Sequence, residues 1–147
     1  MKVIIINGPN LNLLGTREPE KYGYTSFEEW MKKLMALYPK ITFEYYQSNV
    51  EGMIINKLHE AGFSYDGIIL NPGGYTHTSV AIADSIAAIT TPVVEVHITN
   101  IQAREEFRHK SLVGRYCAGT ITGFGLDGYR LAMEAIIGIQ NRNIKRK

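Results

Sequence analysis

The sequence predicts an α/β fold, a doubly wound sheet of five parallel strands, and two observations carry that expectation. Short apolar runs such as Val3-Ile4-Ile5-Ile6 read as strands buried on both faces, the mark of a parallel sheet covered by helices. Between these runs the apolar residues recur at helical spacing, so strand and helix alternate along the chain. At 147 residues, with 45% hydrophobic and 20% charged residues, the chain suits one globular domain with a sizeable core. No repeat, linker or low-complexity stretch divides it, and the expected domain spans residues 1–147.

Strands are expected at 2–6, 41–46, 67–70, 92–98 and 117–122. The first helix is announced by Ser26-Phe27-Glu28-Glu29, a capping box in which Ser and Glu satisfy each other's free amides. Phe27, Trp30, Met31, Leu34 and Met35 then share one face. Ser48-Asn49-Val50-Glu51 repeats the capping signal ahead of Val50, Ile54, Leu58 and Ala61, with Gly62 expected as the residue that ends the helix. Helices at 78–89 and 127–139, and a shorter one at 100–108, complete the set. Strict alternation with right-handed crossovers leads to a flavodoxin-like strand order, 2-1-3-4-5.

A formal net charge of +2 gives no reason to expect a nucleic-acid partner. The basic run 142–147 reads as a solvated, frayed end. Cys117 is the single cysteine, which excludes an intrachain disulfide and a cysteine-based zinc site and is compatible with a reducing compartment. Lys2 precedes a run of aliphatic residues too short for a secretion signal, and no apolar stretch is long enough for a membrane span. A cytoplasmic protein with no membrane partner is expected.

In a sheet of this order, ligands bind beyond the carboxyl ends of the strands, where strands one, three and four meet. Each of those ends is polar. Strand one runs into Asn7-Gly8-Pro9-Asn10-Leu11-Asn12, and the same connection later carries Arg17 and Tyr22 between Gly15 and Gly23. A phenol sharing a glycine-flanked loop with a guanidinium suggests a base and its activator on a lid spanning 14–25; a polar connection rich in turn residues is the plainer alternative. Strand three ends in Asn71-Pro72-Gly73-Gly74-Tyr75-Thr76-His77-Thr78-Ser79, whose glycines let a ligand approach the backbone and whose hydroxyls can cap the next helix. His77 there suits either a ligand contact or a helix cap.

Strand four carries Glu95 and His97, two apart and therefore on one face. A carboxylate beside an imidazole fixes its tautomer and favours its charged form, which suits a general acid. A core histidine satisfied by a local carboxylate is the alternative, but two such residues in an aliphatic strand cost desolvation without a function to explain them. Arg104-Glu105-Glu106-Phe107-Arg108 reads as a charged helix face from which one arginine could clamp a carboxylate. His59 is expected to be exposed, and His77, His97 and His109 lack metal-ligand spacing, so no metal is expected. No Gly-Lys-Ser/Thr follows Gly8 or Gly15, no GxGxxG follows strand one, and no Ser stands on a G-x-S-x-G elbow. Asn7 and Asn71 occupy the strand ends where a phospho-receiver would carry acids.

These segments together resemble the type II 3-dehydroquinate dehydratases, over nearly the whole chain and in order. The resemblance rests on the Asn7–Gly15 run, Arg17-Glu18-Pro19 with Tyr22-Gly23, Asn71-Pro72-Gly73-Gly74, and Thr76-His77-Thr78-Ser79. It continues through Glu95-Val96-His97, Asn100, Ala103–Arg108 and Gly123 to Tyr129. It implies a lyase of the shikimate pathway that converts 3-dehydroquinate to 3-dehydroshikimate without a cofactor. Tyr22 would remove the proton beside the ketone, Arg17 would hold the phenol as phenolate, and Asn10 would help stabilise the enolate. His97, oriented by Glu95, would protonate the departing hydroxyl. Asn71, His77, the backbone at Ile98 and Thr99, and Arg108 would hold the substrate. The resemblance also implies a homododecamer built from trimers, with Asp84 serving the neighbouring subunit's site. Thr99 and the bulky Tyr24 depart slightly from the family pattern, and 110–116, with Arg115, is the least familiar stretch. A flavodoxin-like cofactor-binding module is the competing class, but Gly8-Pro9-Asn10-Leu11 makes a poor phosphate loop.

A free phenol titrates near 10, so Tyr22 needs a neighbouring cation to act as a base near neutral pH. Tyr22→Phe is expected to leave the fold intact and lower kcat by roughly 10²–10⁴, the range for losing a general base. Steady-state turnover close to the parent would remove Tyr22 from the mechanism.

Overall fold

The computed structural model describes residues 1–16, 20 and 25–146. Five strands, β1 (Lys2–Asn7), β2 (Thr42–Gln47), β3 (Gly67–Asn71), β4 (Val93–His97) and β5 (Gly119–Thr122), form one parallel sheet in the order β2-β1-β3-β4-β5. The expected order is the one found. The register sets Asn7 beside Asn71 and Glu95 beside Thr120.

Alternation along β1 shows why this sheet is covered on both sides. Val3 and Ile5 enter one core with Phe27, Met31, Leu34, Tyr129, Met133 and Ile136. Ile4 and Ile6 enter the other with Ile54, Leu58, Ile82 and Ile86. Each such side chain contributes about 1.5–3 kcal/mol when fully buried. That packing makes the helices stable: α1 (Phe27–Leu37), α2 (Glu51–Ala61) and α3 (Val80–Ala88) have 11, 11 and 9 residues. Isolated helices below about 12–15 residues are marginal in water.

Ser26 caps α1 as expected, its Oγ accepting from the amide of Glu29 at 3.2 Å. The second capping signal does not form a box. Ser48 Oγ accepts from Val50 N at 3.0 Å in a tight turn, which leaves Val50 as the N-cap and 57% exposed. Gly62 ends α2 in right-handed geometry (φ −69°), so left-handed freedom is not what the position requires. It requires space, because a Cβ there would lie 2.3 Å from Ile89 Cγ2. Met35 also departs from the expected face of α1 and is exposed.

The expected helix at 100–108 is replaced by two short 3-10 turns, Ile101–Ala103 and Glu106–Arg108. Asn100 Oδ1 caps the first by accepting from Gln102 N at 3.1 Å, and Arg104 between them is extended. The final helix α4 (Asp127–Arg146) takes in residues 142–146, where a frayed end was expected. No described helix is long and apolar enough to cross a membrane.

β1 and β3 are neighbours, yet their following connections lead to helices on opposite faces, so a crevice opens between them at the carboxyl end of the sheet. Gly8 sits at this divergence, donating its amide to Asn71 O at 2.7 Å. A Cβ on Gly8 would fall 2.5 Å from the Pro72 carbonyl oxygen, a backbone atom that cannot swing aside. Gly8→Ala is therefore expected to destabilise the fold by about 1–3 kcal/mol, as overpacking does. Urea unfolding should show a lower midpoint at unchanged slope; an unaltered midpoint would mean that the two connections separate freely.

Candidate active site

The crevice is lined from each strand in turn. Pro9, Asn10 and Leu11 follow β1; Gly73, Gly74 and His77 follow Asn71 at the end of β3; Ile98 and Thr99 follow His97 at the end of β4. Ile101, Arg104 and Arg108 complete the wall.

Asn10 takes φ 71°, a left-handed conformation that Asn tolerates better than most residues, and its amide donates to Asn49 Oδ1 at 3.0 Å. Gly73 also has positive φ, 61°, but the backbone that approaches it is Pro9, whose carbonyl oxygen would be 3.1 Å from a Cβ. Gly74 faces open space.

Asn71 is oriented from beneath. Its Nδ2 donates to Tyr129 Oη at 3.0 Å, and its Oδ1 accepts from Gly73 N at 3.1 Å. Tyr129 Oη in turn donates to Asn7 Oδ1 at 2.8 Å. The phenol must be neutral to fill both roles, and complete burial keeps it so by pushing its pKa well above the ordinary value.

Glu95 is fully buried. One carboxylate oxygen, Oε2, accepts from Thr76 Oγ1 at 3.2 Å and from Nε2 of His97. The other, Oε1, accepts from Thr120 Oγ1 at 3.3 Å, and Ser111 Oγ lies 3.0 Å from both. Burial pushes the carboxyl up, but the His97 hydrogen bond and charge, with the Ser111 and Thr76 hydroxyls, outweigh it and hold Glu95 below the usual carboxylate range. The same charge, added to burial, raises the Cys117 thiol to about 12, so this cysteine is a poor nucleophile. With Nε2 committed to Glu95, a proton on Nδ1 of His97 is the one left for a ligand, and Nδ1 has no hydrogen-bond partner among the described residues.

His77 does not cap α3; Ser79 does, its Oγ accepting from Ile82 N at 2.9 Å. Nδ1 of His77 instead lies 2.8 Å from Lys110 O. A carbonyl only accepts, so Nδ1 carries a proton. The His77 ring stands 6.3 Å, centroid to centroid, from that of His97.

Both arginines of the 104–108 segment reach the wall, whereas the residues alone pointed to one of the two and the resemblance implied Arg108. Arg108 Nε donates to Glu105 Oε2 at 2.8 Å, and Arg104 Nη1 lies 3.5 Å from Thr99 Oγ1. The repeated Arg at a spacing of four was the available signal for Arg104, but reading the segment as a single helix face obscured it. Asp84 is exposed on α3 and forms no part of this wall. Arg17 and Tyr22, with most of the expected lid, lie outside the described residues. The structure thus brings together Asn10, Asn71, His77, His97, Ile98, Thr99 and Arg108, with Glu95 behind His97.

A carboxyl whose folded pKa is depressed contributes stability that is fully present above its unfolded value and is lost as pH falls through the folded one. Glu95→Gln removes that contribution and should cost about 1.5–3 kcal/mol at pH 7, the scale of hydrogen bonds to a charged group. The gap between the variant and the parent should narrow as pH falls below the ordinary value of 4.5. Urea titrations at pH 7 and at acidic pH measure it; a gap independent of pH would mean that Glu95 is not held ionised.

The chain was compared with known proteins. The family model described as dehydroquinase class II matches residues 1–137. A 3-dehydroquinate dehydratase from Exiguobacterium sp. is 54% identical over 138 residues, covering 93% of this chain and 94% of the relative. One from Campylobacter jejuni is 50% identical, covering 99% of this chain and 94% of its own. The crystal structure of type II dehydroquinase from Butyrivibrio crossotus superimposes with a TM-score of 0.87 at 46% identity, covering 92% of this chain and 97% of the other. On the strength of a match that takes in every strand and every wall of the cleft, this chain belongs to the class II dehydroquinase family.

Proposed function

We propose that this chain dehydrates 3-dehydroquinate to 3-dehydroshikimate, a hydro-lyase step of the shikimate pathway toward aromatic amino acids, with no cofactor. The observation that carries the reading is the buried Glu95–His97 pair opening onto an arginine-walled cleft in a chain of the class II dehydroquinase family. A non-catalytic cofactor module accounts for neither the pair nor the family match.

Tyr22, as phenolate beside Arg17, takes the proton from the carbon next to the ketone, and the electron pair moves into an enolate. Asn10, at the mouth of β1, helps hold that oxygen. The enolate then collapses, the carbon–hydroxyl bond breaks, and His97 gives its proton to the departing oxygen, so that water leaves. His97 is suited to this by its cleft position, with Glu95 offsetting the charge on the imidazolium. Asn71, His77, Ile98 and Thr99 line the cleft where substrate hydroxyls would bind, and Arg108, with Arg104, supplies charge for the carboxylate.

We place this reaction in the cytoplasm and in a homododecamer of trimers. One face of α3 exposes Val80, Ala81, Asp84, Ala87 and Ala88, a largely apolar strip with a single acid. Packed against a partner copy, the strip would be covered, and Asp84 would fix a substrate-binding arginine of that copy, Arg108 first. Asp84→Ala is expected to raise KM more than it lowers the melting temperature; a fully active monomer in sedimentation would rule this arrangement out.

Adding 3-dehydroquinate and following the ultraviolet rise of the conjugated enone tests the activity directly. His97→Gln should lower kcat by roughly 10²–10⁴. The mechanism needs no Schiff base, so borohydride added with substrate should leave activity and mass unchanged. A lysine adduct seen by mass spectrometry would replace the enolate route with an imine one.

A further inference from the structure

The stretch 110–116 had no role in the sequence reading, yet it touches His77 directly and reaches His97 through Glu95. Lys110 O accepts from His77 Nδ1 at 2.8 Å. Ser111 Oγ lies 3.0 Å from each oxygen of Glu95, the carboxylate that holds His97. Leu112 N donates to Thr76 O at 2.8 Å, and the Thr76 hydroxyl binds the same carboxylate. Val113 is fully buried in the core shared with α2 and α3, which pins the segment to the body of the fold.

We infer that Ser111 is a positioning residue for the dehydration, acting through Glu95 to hold His97 in donating orientation. The inference rests on His97 being the acid. Ser111 is itself fixed: Gly114 N donates to its Oγ at 3.0 Å, which turns the hydroxyl proton toward Glu95. A Cβ at 114 would lie 2.9 Å from Glu95 Oε1, so a larger residue there would press on the carboxylate. Thr120 Oγ1 braces that oxygen from β5 and Thr76 Oγ1 the other from the turn after β3, so three hydroxyls clasp the carboxylate and His97 takes what they leave. Without Ser111 the carboxylate loses the donor that bridges both its oxygens. It is then braced by Thr76 and Thr120 alone and rotates further about its terminal bond, and the imidazole follows it.

The test uses the full chain, with steady-state kinetics on 3-dehydroquinate and proton NMR of the downfield Nε2–H of His97. Ser111→Ala is expected to lower kcat about tenfold, the worth of one hydrogen bond to a charged group, with KM within about twofold. The downfield proton should broaden and move, and Ser111→Thr, which keeps a hydroxyl, should restore both signal and kcat. An unchanged proton signal in folded Ser111→Ala overturns the inference, as does a loss of kcat that leaves the signal intact. Should Ser111→Ala fail to fold, Thr120→Val removes a hydroxyl from the same clasp while keeping side-chain shape. The signal should then move in the same direction by less, and no movement overturns the clasp. Full activity in His97→Gln, by contrast, sinks the role of His97 itself, while the His97 proton of the parent and of Ser111→Ala still reports on the clasp.

Discussion

The negative charge of Glu95 is the constraint around which this end of the molecule is arranged. It sits in the middle of a strand between Val94 and Val96, fully removed from water. An ion so placed costs several kcal/mol unless its lone pairs are met by donors. The donors come from four places: the turn after β3, the segment before β5, β5 itself and the same strand. Each must keep its position for the charge to be tolerated. In the chain from 101 to 116, built of three short 3-10 turns, Ser111 meets this requirement.

The aliphatic sheet supplies the rigidity. Five packed strands hold their tips at fixed spacing, and apart from Glu95 the buried polar side chains of β1, β3 and β4 stand where those strands end, at Asn7, Asn71 and His97. His97 therefore stands on a strand end braced by its neighbours, the kind of support that keeps a reacting group in register with its substrate. The cations of the cleft wall, Arg104 and Arg108, lie outside the strands and share the acid Glu105.

Much of this could be read from the residues alone. Strands buried on both faces announce themselves as unbroken apolar runs, and strict alternation with helices leaves few orders for the sheet. The Glu95–His97 pair was legible for the same reason that it is unusual: two polar residues interrupt an aliphatic strand on one face. What escaped was set by tertiary partners. Ser48 carries the letters of a cap but turns back on Val50. Gly62 looks like a left-handed terminus but is small to admit Ile89. The 101–108 stretch has helical periodicity, yet extended backbone at Arg104 breaks it into two short turns. Ser111 and Thr120 read as ordinary hydroxyls because nothing local shows that a carboxylate from another strand lies above them.

The phenol of Tyr129 ties the last helix to the tips of the first and third strands through Asn7 and Asn71. Asn7 precedes it by 122 residues and Asn71 by 58. Until α4 docks, the Asn71 carboxamide lacks its lower partner and the core on that face of the sheet lacks Tyr129, Met133 and Ile136. One docking event therefore completes both that core and the support of Asn71, so loss of the last helix would cost stability and cleft geometry together.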